Sequence, residues 1–282
     1  MTENNRHLTF SQRNDLAPIP QPLKLGEISD KFRKDLWDAF YSIIIEDTGD
    51  PNLQDEYNEL IISMLKQTEN IFFGKTLDEI VNENRIYYYT DKYKEFFLKE
   101  SFNIVFDFLE YFLKTFPKLS SAKNFIDIFK NNLLAYTIVD EECPTIVPAA
   151  TPEEGETIRQ AFEAAKEDKY EPVRKHLRNS AEQINANLPA DAIRESIHAV
   201  ESVLRIVTGE SDFNKALQKL ETSHRIHPAL KDAFKKLYAY TSDEQGIRHA
   251  LVDQPASPAG MDEAVFMLGT CAAFVGYVIR KS

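Results

Sequence analysis

Apolar positions along most of this chain recur at three- and four-residue steps, the period of one helix face. Ser29 stands as an N-cap ahead of Phe32, Leu36, Trp37, Phe40, Ile43 and Ile44, predicting a helix to about Glu46 that Gly49-Asp50-Pro51 stops. A second helix is predicted over Leu53–Asn70, with Leu60, Ile61, Met64 and Leu65 inward. Between Phe72 and Tyr93 the pattern fits either a short strand at Arg85–Tyr89 or a helix–helix connection. Tyr93–Phe116 reads as one very aromatic helix broken by Pro117, and Ser120 or Ser121 caps the next, to about Leu134. Residues 1–27, with Pro18, Pro20 and Pro22, read as an extended arm.

The period then changes. Ala135–Val139 and Thr145–Val147 are β-branched runs around the acidic turn Asp140-Glu141-Glu142, a small hairpin. Thr151-Pro152-Glu153-Glu154 combines an N-cap, a first-turn proline and an acidic third position, so a helix starts there and runs to about Asp168. Helices follow at Glu171–Asn185, Ala190–Val207, Phe213–Glu221 and Pro228–Tyr240, with a short piece at Gly246–Val252. The last helix is predicted over Met261–Arg280. The fold class is therefore mainly α: two helical domains, 1–150 and 151–282, joined by a small β-hairpin.

At 282 residues the chain exceeds one typical domain, which agrees with that division. The stretch Ala264–Ile279 is shorter than the ~20 residues of a membrane span, so no membrane partner is expected. Residues 1–6 lack the basic start and apolar run of a signal peptide, and Cys143 and Cys271 have no partner spacing. These features point to a cytoplasmic protein with reduced thiols. The net charge of −12 is uneven: −9 up to Cys143 (16 basic, 25 acidic) and −3 beyond it (17 basic, 20 acidic). Nucleic-acid binding by the whole surface is disfavoured, which leaves a local basic groove in the C-terminal part.

Glycine-rich phosphate loops and a serine nucleophile elbow are absent, and no cofactor is expected. His224-x-x-His227, beside Pro228, reads as the approach to a helix; with no Cys-x-x-Cys or His-Glu-x-x-His, no metal ligands are expected. Five of the six histidines nevertheless fall after Cys143. Arg194, His198, Glu201 and Arg205 share one helix face, opposite Ile193, Ile197, Val200 and Leu204. That face is either a solvated salt-bridged surface or one wall of a polar cleft. Arg248-His249 sets a permanent guanidinium beside an imidazole that titrates near neutrality. Those two groups suit metal-independent RNA cleavage, in which imidazole moves a proton and guanidinium stabilises phosphate charge. A structural or capping role is the alternative for the pair.

At these residues the chain resembles AbiJ-type abortive-infection proteins of bacteria. Phe10-Ser11-Gln12-Arg13 with Pro18, Arg33-Lys34-Asp35-Leu36-Trp37 and the Tyr136-x-Ile-Val hairpin carry the likeness in the first part. Ile226-His227-Pro228-Ala229-Leu230-Lys231, Tyr240-Thr241-Ser242-Asp243-Glu244 and Gly246-Ile247-Arg248-His249-Ala250 carry it in the second. The resemblance implies an AbiJ N-terminal domain and a HEPN-like C-terminal bundle, a fold used by RNA-cleaving phage-defence effectors that usually dimerise. It implies an antiphage ribonuclease with RNA as substrate, a homodimer, and a phage-derived or host protein as trigger; a non-catalytic module binding RNA or a protein is the alternative. Arg248 and His249 would be catalytic, with Glu201, His198 and Asp243 as secondary candidates. The motif's later histidine is absent, since Asp253 stands five residues after Arg248. His249 itself supplies the imidazole, or His198 or His227 is brought in from another helix, or cleavage has been lost.

Overall fold

Local signals set most element boundaries in the computed structural model, which describes residues 10–14, 16, 21–46, 51–80, 86–119, 122–139, 143–224, 226–243 and 259–282. The chain runs α1 (Phe10–Arg13), α2 (Asp30–Ile44), α3 (Pro51–Ile71), α4 (Leu77–Ile80), α5 (Ile86–Lys99), α6 (Phe102–Thr115) and α7 (Ala122–Asn131). The hairpin β1 (Tyr136–Val139) and β2 (Thr145–Pro148) follows, then α8 (Pro152–Ala164) and a 3-10 turn at Asp168–Tyr170. The rest is α9 (Glu171–Asn185), α10 (Pro189–Thr208), α11 (Phe213–His224), α12 (Pro228–Asp243) and α13 (Met261–Lys281). The Ser29 hydroxyl accepts the Phe32 amide at 3.1 Å, and Thr151 accepts that of Glu154 at 3.1 Å. Gly209, at φ 74°, ends α10 in the left-handed region that favours glycine.

Several expectations change. The arm contains one helical turn, α1, which lies ahead of the first X-Pro pair and is closed by Asn14 Nδ2 on the Phe10 carbonyl (2.8 Å). Leu60 is 48% exposed, so the inward stripe of α3 is Ile61, Met64, Leu65 and Thr68. Ile86–Tyr89 is the first turn of α5 and not a strand. The single helix expected over Tyr93–Phe116 is two, because Ser101 takes an extended conformation (φ −62°, ψ 149°) between α5 and α6. That break folds both aromatic faces onto one core, with the Phe97 and Phe108 rings 5.4 Å apart, edge to face. The hairpin turn at Asp140–Glu142 and the helical piece expected at Gly246–Val252 lie outside the described residues.

Two cores result. One is built on rings, including Phe32, Phe40, Tyr93, Phe97, Phe108 and Phe112. The other is aliphatic and runs through α8–α13. The antiparallel hairpin separates them and is buried on both faces. Because side chains alternate along a strand, Tyr136, Ile138 and Ile146 enter the aromatic core. Val139, Val147 and Ala149 enter the aliphatic one. Gly155 lets α8 approach β1 closely: a Cβ there would lie 3.1 Å from Thr137 Cβ.

Helix α13 is long and apolar enough to cross a membrane, with a mean hydropathy of 1.5 over its best window. It exceeds the apolar stretch read from sequence because Asp262, Glu263, Arg280 and Lys281 also join the helix, each at the end whose dipole it complements. It serves here as a core helix, with Leu268, Cys271, Ala272, Phe274 and Val275 buried. Gly269 lies against Glu154 of α8, and a Cβ added at Gly276 would lie 3.6 Å from Ala161 Cα. Both glycines of α13 thus pack within the chain.

Candidate functional site

The site is built on the packed pair α9 and α10. Val173, Leu177, Ala181 and Ile184 on α9 meet Ile193, Ile197, Val200 and Leu204 on α10, all buried. A polar lock fixes the register: Ser180 Oγ donates to the Ala192 carbonyl (2.9 Å) and lies 2.8 Å from Ser196 Oγ. At the edge of this seam α9 carries His176 and Asn179, one turn apart, and α10 carries Glu195 and His198 in the same spacing.

These four side chains meet. His176 Nδ1 lies 2.8 Å from Glu195 Oε2, and Asn179 Nδ2 donates to the same oxygen at 3.2 Å. His198 Nδ1 is 3.8 Å from Glu195 Oε1, and the two imidazoles stand edge to face at 5.3 Å. The His176, Glu195 and His198 side chains are 29%, 23% and 34% exposed, so the cluster is ordered by packing yet open to solvent. Burial pushes the Glu195 carboxyl up, but the hydrogen bonds from His176 and Asn179 and the charge of the imidazoles outweigh it and hold it below the ordinary range. A carboxylate on Nδ1 orients the ring and leaves Nε2 to take a proton from a substrate.

The sequence candidates scatter around this point. His198 is in the cluster. Glu201, on the same face of α10, accepts the Tyr238 hydroxyl of α12 at 3.0 Å, and the Tyr238 ring stacks on Phe213 at 3.8 Å. Arg205 is exposed, and Arg194 pairs with Asp191 within α10. Asp243 is the last residue of α12; Arg248 and His249 lie outside the described residues. His227 has a structural task, since its Nδ1 accepts the Ala229 amide at 3.1 Å at the start of α12. Sequence reasoning missed His176 and Glu195. The Glu195-x-x-His198 spacing was legible, but the pairing with α9 is a tertiary contact.

Two clefts flank the hairpin. One, of about 360 Å³, holds Arg159, Lys166 and Arg174. Its cations are already engaged: Arg159 on Glu156 (2.8 Å), Lys166 near Glu163 (3.7 Å) and Arg174 on the Ala165 carbonyl (2.5 Å). The other, of about 370 Å³, is acidic, with Asp107, Glu110 and Glu182. Burial, then the neighbouring Glu110, pushes the Asp107 carboxyl up. Neither cleft is lined by a histidine; the paired imidazoles stand at the α9–α10 seam.

Comparison with curated proteins and with solved structures returned no significant match to either. The family description AbiJ N-terminal domain 4 matches residues 8–164, from just before α1 through the aromatic core and the hairpin to the last residue of α8. The match spans more than half of the 282 residues and leaves the α9–α10 cluster outside it: the chain belongs to the AbiJ family, whose N-terminal domain points to a role in abortive infection, the bacterial defence against phage.

Proposed function

We propose that this protein is an abortive-infection effector whose C-terminal part is a HEPN-like, metal-independent ribonuclease acting on cellular RNA. The observation that carries the reading is the His176–Glu195 pair, 2.8 Å apart, with a second imidazole at His198. RNA supplies its own nucleophile, the 2′-hydroxyl. One oriented imidazole removes that proton, the oxygen attacks phosphorus, and a second imidazole protonates the departing 5′-oxygen. Arg248 would stabilise the charge that develops on the phosphate. His249 and His198 are the two candidates for the second imidazole. Glu201 tethers α10 to α12 through Tyr238, and α12 ends at Asp243, five residues before Arg248. The homodimer, a phage-derived or host trigger, and an effector part beginning near residue 151 complete the proposal. Gly269 and Gly276, which face α8 within the chain, lend the dimer no support.

The test is incubation of the purified full chain with total cellular RNA in the presence of a chelator. Wild type is expected to cut, leaving 2′,3′-cyclic phosphate ends. His176→Ala, His198→Ala and Arg248→Ala are each expected to lose about 10²-fold or more. The absence of the motif's later histidine favours a second reading, an RNA-binding module without cleavage. Saturable RNA binding with no cut product in wild type would establish that reading and end the ribonuclease one.

A further inference from the structure

Among the described residues, one group combines imidazole and carboxylate donors drawn from two different helices: His176 from α9, and Glu195 and His198 from α10. One donor atom from each lies within 4.8 Å of the other two. We propose that these three side chains bind a single divalent transition-metal ion of the zinc class.

The geometry is close to what such an ion needs. A four-coordinate zinc with ligands at about 2.0–2.1 Å holds its donors roughly 3.3 Å apart. His176 Nδ1 lies 2.8 Å from Glu195 Oε2 and His198 Nδ1 lies 3.8 Å from Glu195 Oε1, one on either side of that value, so the two carboxylate oxygens each face one imidazole. The helices that carry the ligands are locked by Ser180, Ala192 and Ser196. Asn179 already holds Glu195 Oε2, the kind of outer hydrogen bond that fixes a ligating carboxylate.

Donor chemistry selects the ion class. Two imidazoles and one carboxylate favour zinc, nickel, cobalt or copper over magnesium or calcium, which take oxygen ligands. Three protein ligands leave a fourth position for water, and the partial exposure of all three side chains gives the ion a path in. The donors are 19 residues apart in sequence between His176 and Glu195, which is why no short metal motif announces them. Binding does not depend on the ribonuclease reading. Its consequence does: an ion here engages the imidazole lone pairs, so occupancy and proton transfer by the cluster exclude one another.

The experiment titrates zinc chloride into the chelator-treated full chain by calorimetry, with cobalt chloride as a spectroscopic probe. Wild type is expected to bind one ion per chain, to give a visible cobalt d–d band, and to melt at a higher temperature with zinc present. Glu195→Gln keeps the side-chain shape and is expected to lose the band and to weaken affinity by at least ~10-fold, as are His176→Ala and His198→Ala. Circular dichroism and the melting curve without metal establish that each variant is folded. No saturable binding by wild type would overturn the proposal. Equal affinity and stoichiometry in folded Glu195→Gln and His198→Ala would also overturn it, since the ion would then sit elsewhere.

Discussion

The aromatic and aliphatic cores solve the same packing problem in different ways. In the first part, the chain breaks at Ser101 and Pro117 on either side of α6, and large rings build the core: Phe40 alone meets Tyr93, Phe97, Phe108 and Phe112 at 5.2–5.5 Å, stacked on Tyr93, tilted to Phe97 and edge to face with Phe108 and Phe112. In the second part, α9, α10 and α13 are 15 to 21 residues long and bury small side chains such as Ala181, Ala199 and Ala272. Long, closely packed helices hold side chains in fixed register, and that is where the half-buried histidine–carboxylate cluster sits. The buried charge of the first part, Glu69, is instead committed to structure, held by Lys75 at 2.8 Å and by Lys92.

The sharpest way to probe the comparison is to damage one core and watch the other. Phe108→Ala removes a fully buried ring from the centre of the aromatic cluster and is expected to cost about 3–5 kcal/mol in denaturant unfolding. The hairpin is shared, so the loss should reach the second core. Cys271 reports it, because burial pushes its thiol up to about 12 and keeps it out of reach of thiol reagents. Wild type should label at Cys143 only, and Phe108→Ala should label at both cysteines at a rate set by its lower stability. Protection of Cys271 unchanged in Phe108→Ala would show two cores that unfold separately.

A smaller effect is expected at the joint. Thr151→Ala removes the cap of α8 and should cost about 1 kcal/mol, read as a shift in the midpoint of unfolding. The smallest is a pH effect at the cluster. The Glu195 carboxyl is held below its ordinary value, so its contribution is complete above the unfolded pKa of about 4.3 and is lost as pH falls through the lower folded value. The stability gap between wild type and Glu195→Gln should therefore close as acid is added below about pH 4.3, and a gap that widens would reverse the assignment.

What the sequence made legible follows from range. The caps at Ser29 and Thr151, the hairpin strands and the buried face Ile193–Leu204 all rest on local rules, and the structure has them. The break at Ser101 and the outward turn of Leu60 went unread because tertiary packing, not local pattern, decides them. The candidate site was half legible: His198 and Glu201 stood on the right face of α10. His176 and Glu195 needed the α9–α10 contact, which no spacing within one segment encodes.

The central claim is that the chemistry of this AbiJ-family protein lies beyond its matched N-terminal domain. Its most direct test is expression in bacterial cells of wild type, His176→Ala and Arg248→Ala at equal soluble levels. Growth arrest and RNA breakdown are expected with wild type and not with either variant. Arrest by both variants at the wild-type rate would contradict the account.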